Sequence, residues 1–340
     1  MSLTSILNSN KKRDKEFKNI LLSLEPPKEK YYTLSGKSPF SDEYSILVSN
    51  ELSNPYDSSL VGTAFDYLSR FRVGQFLKRE DVHRGLVALS GYKKLSTRPE
   101  FLERKLEHYQ PYFSWFNQLG EFVKDASSPI SSIYEIAVHL AKLEQLKRRR
   151  IMKEEVIDID YVLFEGAPSE VIYELDKLMK VFEEKFMIPE IINKNSHVIF
   201  NPVFGVGSAL VSGADADIFI DGTLYDFKTS QDKSLKKNDN LQLIGYYLLN
   251  ELAKKTMSDE LDFDYTYMNI EKVSFYKARY GELEYYDTHQ CSPPTSKEIR
   301  RGLKTVAEHF KTNKGALHTC IMADIDYAEK LLEELRIMEV

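Results

Sequence analysis

The chain reads as an α/β protein: a mixed central sheet flanked by helices, carrying a large, mostly helical insertion. Three observations predict this. Apolar residues recur at helical spacing through much of 60–190, whereas beyond about Ser196 short runs rich in Val, Ile, Phe and Tyr alternate with turn residues. A helical pattern at 239–255 falls among those runs, so strands and helices share one segment. At 340 residues the chain is long enough for one large domain or two ordinary ones, and helices followed by an α/β segment suit one core decorated by a helical insertion.

Taken in order, residues 1–59 lack sustained periodicity and contain Pro26, Pro27, Pro39 and Pro55, so irregular or short structure is expected there. At 60–79, Val61, Ala64, Phe65, Leu68 and Phe71 form one stripe of a first core helix, with Asp66 nearly opposite. Residues 80–190, the insertion or cap, show helical patterns at 98–124, 130–150 and 168–187, with a short strand expected at 156–163. Residues 191–340 hold the core. Strands are expected at 197–200, 213–220 and 223–229, then the helix at 239–255. Strands at 273–278 and 283–287, joined across Arg279-Tyr280-Gly281-Glu282, precede closing helices at 295–312 and 323–338.

Composition narrows the function. Hydrophobic residues at 42% and charged residues at 29% are globular values, and no apolar run approaches the roughly 18 residues that cross a bilayer. The polar, lysine-rich start is not expected to be a secretory signal. Cys291 and Cys320 are the only cysteines and form no CxxC pair, which excludes a disulfide framework and a four-cysteine zinc or iron–sulfur site. A soluble cytoplasmic protein without membrane partners is expected. The net charge of −6 argues against a purely electrostatic nucleic-acid binder, though not against an enzyme with a positive groove. The basic runs Lys147-Arg148-Arg149-Arg150, Lys236-Lys237 and Arg300-Arg301 each read first as solvated faces. The seven histidines, His108, His139 and His197 among them, show no HxxxH or HExxH spacing, and neither GxSxG nor GxxxxGK[ST] occurs.

The informative stretch is Gly213-Ala-Asp215-Ala-Asp217-Ile-Phe-Ile-Asp221-Gly222-Thr-Leu-Tyr-Asp226-Phe-Lys228-Thr229. Asp221-Gly222 between two β-prone runs signals a two-residue hairpin. That turn sets Ile220 opposite Thr223, Phe219 opposite Leu224, Asp217 opposite Asp226 and Asp215 opposite Lys228. With a period of two, Asp215, Asp217, Asp226 and Lys228 then share one face, while Ile218, Ile220, Tyr225 and Phe227 enter the core from the other. Facing carboxylates destabilise a sheet, whereas a hard divalent cation between them turns the repulsion into attraction. Such a cation polarises a phosphodiester and acidifies a bound water, and Lys228 can orient that water or stabilise developing charge.

Asp-x-Lys on one strand, after an Asp on the preceding strand, resembles the PD-(D/E)XK nuclease superfamily, and Asp226-Phe-Lys228-Thr229 is most like its RecB-type branch. Gln242-Leu-Ile-Gly-Tyr246 on the following helix is similar to the QxxxY motif of RecB-like nucleases, and Gly62-Thr63-Ala64-Phe65-Asp66 to their GTxxH motif, with Asp66 in place of His. The resemblance implies a restriction-endonuclease-like core and a Mg²⁺- or Mn²⁺-dependent deoxyribonuclease, exonuclease-like, serving recombination, repair or defence against foreign DNA. It implies that Asp217, Asp226, Asp66 and the Phe227 carbonyl ligate metal and that Lys228 positions the attacking water. Gln242 and Tyr246 would line the site. Because its hairpin partner is Lys228, Asp215 is expected beside the ligands or as a spare one, and Glu170, Glu174 and Glu183, on a helix just before the strands, are fallback candidates for the place of Asp66. DNA is the expected partner, with a motor or nuclease-complex protein as a second. The four cysteines of CRISPR-associated RecB-like exonucleases are absent.

The sequence admits two other readings. Ile220-Asp221-Gly222-Thr223-Leu224 resembles the opening of haloacid-dehalogenase phosphatases, but Phe219 stands where their nucleophilic Asp belongs. The runner-up is a nuclease-fold binding or scaffold subunit that has lost catalysis, although Asp217, Asp226 and Lys228 are all retained. Arg70, Arg72, Lys147 and Arg148 to Arg150 are expected to supply a basic groove.

Overall fold

A computed structural model describes residues 3–104, 111–149, 151, 155–211, 213–256 and 268–291, together with 297, 301, 302, 305, 306 and 309. The chain begins with helices α1 (Leu3–Leu7) and α2 (Lys12–Leu22) and strand β1 (Tyr32–Thr33). A helical stretch follows: α3 (Asp57–Leu77), α4 (Val87–Ser96), α5 (Pro99–Glu103), α6 (Pro111–Lys124), α7 (Tyr134–Arg148), α8 (Ile159–Leu163) and α9 (Ser169–Lys185). Then come β2 (Val198–Phe200), α10 (Gly205–Leu210), β3 (Ile218–Ile220), β4 (Thr223–Lys228), α11 (Lys237–Thr256), β5 (Lys272–Lys277), β6 (Glu282–Asp287) and α12 (Thr288–Cys291).

The strands form one mixed sheet in the order β1-β6-β5-β4-β3-β2. Only β4 and β5 run parallel, because α11 carries the chain from the end of one to the start of the other; the remaining pairs are antiparallel. Both faces are covered. On one, Ile218, Ile220, Tyr225 and Tyr276 join a core continuous with α3, α9 and the helices between them. There Phe65, Phe182, Phe186, Phe227 and Tyr276 interlock, mostly edge to face, with centroids 4.7–6.5 Å apart. On the other face, Phe219, Leu224, Val273, Phe275 and Tyr286 pack beneath α11, α1 and α2. The sheet is therefore apolar on both sides near the Asp221-Gly222 turn, and not greasy on one face and acidic on the other. The aspartates gather where β4 outruns β3.

The hairpin has the expected register, Ile220 with Thr223, Phe219 with Leu224 and Ile218 with Tyr225. Asp221 and Gly222 both have positive φ, 43° and 87°, as a type I′ turn requires. Elsewhere local chemistry overrides the expected elements. The stretch 156–163 ends in helix α8, because Asp158 caps it by accepting the Tyr161 backbone N–H at 3.1 Å. Strand β3 starts at Ile218 rather than at 213, since Asp215 pairs instead with Val203 and the Ala216 N–H donates to Pro202. The N-terminal segment is more ordered than its sequence pattern suggests: Leu3, Ile6, Leu7, Phe17 and Leu21 bury themselves in the core beneath α11. Of the closing helices, 323–338 lies outside the described residues, as does most of 295–312. Among the described residues, no helix is long and apolar enough to cross a membrane.

Candidate functional site

Strand pairing creates the site. The β3–β4 ladder ends at Ile218–Tyr225, so Asp226, Phe227 and Lys228 run on beside β5 with their other edge unpaired by β3. Into that edge comes Asp217, whose Oδ2 accepts a short hydrogen bond from the Phe227 N–H. The Lys228 carbonyl turns the opposite way and accepts from the Ala278 N–H at 2.9 Å. By strand alternation, the Phe227 carbonyl lies along the same edge as its N–H, beside Asp217.

One cleft collects the sequence-predicted residues. Asp66 from α3, Asp215 and Asp217 before β3, Asp226 from β4, and Gln242 and Tyr246 from α11 all line it. Helix α3 sits close because Gly62 leaves room for the Thr229 side chain, which a β-carbon there would approach to 3.0 Å. Lys228 abuts the cleft through two of its walls: Nζ lies 2.6 Å from Asp226 Oδ2 and donates to Gln242 Oε1 at 3.4 Å. Asp239 is 3.4 Å away on the same ammonium. Gln242 Nε2 in turn donates to the Tyr246 hydroxyl at 2.6 Å, and the Tyr246 ring stacks on Phe204. The spacing of four residues thus puts Gln242 and Tyr246 in direct contact on one helix face.

The electrostatics are those of a crowded acid cluster. Burial, together with the charges of Glu144 and Asp215 and despite Arg70, pushes the Asp66 carboxyl up to about 6. Burial and the charges of Asp66 and Asp226 drive Asp217 well above the usual carboxylate range. Asp226 is raised as well, by burial that Lys228 offsets only in part. Burial disfavours the Lys228 ammonium, but Asp226 and Asp239 outweigh it and hold the lysine protonated more firmly than in water. The three aspartates therefore carry more negative charge than the nearby cations comfortably balance.

A hard divalent cation suits this donor set in kind. Every candidate ligand is an oxygen: the carboxylates of Asp66, Asp217 and Asp226 and the carbonyl of Phe227. Asp66 Oδ2 is held by Arg70 at 2.6 Å, while its Oδ1 is buried with no hydrogen-bond partner among the described residues. An orphaned buried carboxylate oxygen is costly unless something completes it. Among the described residues no group of three or more His, Cys, Asp or Glu side chains is placed so that it could hold a metal ion. Arg70 and Lys228 engage two of the three aspartates instead.

Other expected residues fall elsewhere. Asp215 faces Arg148 at 3.4 Å rather than Lys228. Glu170 accepts from Ser53, Glu174 pairs with buried Arg279, and Glu183 pairs with Arg72, so none of the substitute ligands lines the cleft. Arg70 is buried on Asp66 and Arg72 is occupied by Glu183, so neither contributes to a basic groove; Arg150 and Arg300 lie outside the described residues. Conversely, Leu3, Thr4, Glu144 and Asn201 line the cleft although no sequence motif pointed to them, and Arg148, expected in a basic groove, lines it paired with Glu144 and Asp215. The Glu144–Arg148 spacing on a helical pattern was the one available signal, and surface helices carry such pairs routinely.

Comparison of the chain with protein-family models, curated proteins and solved structures finds no match.

Proposed function

We propose that this protein is a Mg²⁺- or Mn²⁺-dependent nuclease that hydrolyses DNA phosphodiester bonds, acting like an exonuclease in recombination, repair or defence against foreign DNA. One observation carries the reading. Asp66, Asp217, Asp226, Gln242 and Tyr246, drawn from a stretch of about 180 residues, line a single cleft with Lys228 against its wall. Mutual repulsion among one buried and two half-buried aspartates has no structural benefit, whereas a cation-dependent site makes use of it.

Asp66, Asp217 and Asp226, with the Phe227 carbonyl, would hold the ion. When bound, it supplies Lewis acidity toward a phosphoryl oxygen and acidifies a coordinated water. Lys228 remains an ammonium, so its part is to orient the attacking water and to stabilise the negative charge that develops on phosphorus oxygens, not to accept a proton. Gln242 fixes that ammonium through Oε1 and, through Nε2, bonds Tyr246 at the cleft wall.

The test is cleavage of labelled linear and circular DNA, single- and double-stranded, in Mg²⁺, Mn²⁺ or EDTA. Cutting in either metal, abolished by EDTA and confined to linear molecules, is the expected result. Failure to cut any form in either metal would overturn the reading in favour of a binding subunit.

A further inference from the structure

A second groove adjoins the acidic cleft and shares two of its residues. Thr4 and Gln242 line both; the groove then continues between the end of α1 and the start of α11, past Asn8, Lys236, Lys237 and Asn238. Open solvent included in both, it spans about 910 Å³ against about 460 Å³ for the cleft. Building on the nuclease reading, we propose that this groove is a phosphate track: it binds the polynucleotide backbone flanking the scissile bond and leads that strand out of the cleft.

Charge separates this route from the alternatives. On the α7 side of the cleft, Arg148 is committed to Glu144 at 2.7 Å and Asp215 at 3.4 Å, and Arg70 is buried against Asp66. Those cations are already neutralised by carboxylates. Across the cleft the situation reverses. Lys18 Nζ donates to the Leu7 carbonyl and to Asn238 Oδ1, both at 2.8 Å and both neutral, so its positive charge is left to act on the groove. Lys236 and Lys237 are exposed, the former in a 3.5 Å surface pair with Asp232 of the kind that contributes little and the latter near the Glu25 carboxylate without an ion pair to it. The acid of this groove, Asp239, is turned to Lys228.

The walls also bring hydrogen-bonding groups that suit phosphate and sugar oxygens. Asn238 Nδ2 donates to Asn8 Oδ1 at 2.7 Å, which with the Lys18 contacts ties α1 to the first turn of α11. The 20-residue α11 adds the positive end of its dipole at the same place. A strand whose reactive phosphate lies among the aspartates thus meets lysines and amides one step further on, and the sequence run Lys236-Lys237 acquires a role beyond a solvated face.

Binding of a labelled 20-nucleotide DNA, followed by fluorescence anisotropy in EDTA between 50 and 200 mM salt, tests the track. The comparison uses whichever form, single-stranded or duplex, the wild type holds more tightly. Lys236→Glu/Lys237→Glu should weaken binding at least tenfold, whereas Lys177→Glu/Lys180→Glu on α9, across the sheet, should change it less than twofold. For a single strand, the neutral pair Lys236→Gln/Lys237→Gln should make the log–log salt dependence shallower by about 1.4. Equal affinity of wild type and Lys236→Glu/Lys237→Glu, in a protein that binds and cuts DNA, overturns the track and leaves the nuclease reading intact. A wild type that neither binds nor cuts DNA overturns both.

Discussion

Asp226→Asn and Lys228→Met are each expected to lower kcat for DNA hydrolysis by a factor on the order of 10²–10³ or more, the range seen when one charge-stabilising group is removed from a preorganised site. Asp226 is 5% exposed and lies in the same cleft wall as Asp217. Its neutral amide analogue keeps the shape but offers a cation far less attraction. Lys228→Met removes the ammonium that Asp226, Asp239 and Gln242 hold in place. The two losses act on one assembly, so the double variant should be scarcely worse than the poorer single one. Single-turnover cleavage with saturating DNA measures this. A kcat within threefold of wild type, in a variant with unchanged far-ultraviolet dichroism, would remove that residue from the chemistry.

The second large effect concerns stability. Arg279, 1% exposed, donates through Nη2 to Glu174 of α9, through Nε to the Thr229 carbonyl that follows the Asp226-Phe-Lys228 strand, and through Nη1 to the Val48 carbonyl at 3.3 Å. One guanidinium therefore ties α9, the end of β4 and the segment before α3 together. Arg279→Met leaves the Glu174 carboxylate buried without its cation, and breaking such a pair costs about 3–5 kcal/mol. Urea unfolding should register that loss. Adding Glu174→Met removes the stranded charge and should recover much of the stability, a coupling that a double-mutant cycle quantifies. A loss below about 1 kcal/mol for Arg279→Met would mean that water reaches Glu174 and screens it.

What the chain disclosed in advance follows from which interactions are local. The type I′ turn at Asp221-Gly222 dictates the register of a hairpin only a few residues long, so Phe219–Leu224 and Ile218–Tyr225 could be paired from spacing alone. The Gln242–Tyr246 contact is likewise a matter of helical spacing. Asp66 was harder: its position opposite the apolar stripe fitted either solvent or a cleft, and only the packing of Phe65 on Phe182, Phe227 and Tyr276 decides which way α3 is rotated over the sheet. Asp215 went astray because β3 yields to an isolated bridge with Val203, a contact between segments whose approach no alternating pattern encodes. Thr4, Glu144 and Asn201 reach the cleft through tertiary packing of α1, α7 and the turn after β2, and beyond the commonplace Glu144–Arg148 spacing nothing in their immediate neighbours marks them. Residues 156–163 show the reverse case, in which an apolar run suggested a strand while Asp158 was already a helix cap.

The proposed chemistry requires Asp66, Asp217 and Asp226 to act as one cation site. The most direct measurement is Mn²⁺ binding, by electron paramagnetic resonance of free Mn²⁺ during titration, for the wild type beside Asp217→Asn/Asp226→Asn. Saturable binding by the wild type, lost or weakened at least tenfold in the double variant, is the predicted result. No saturable binding by the folded wild type, or equal binding by both proteins, would contradict it.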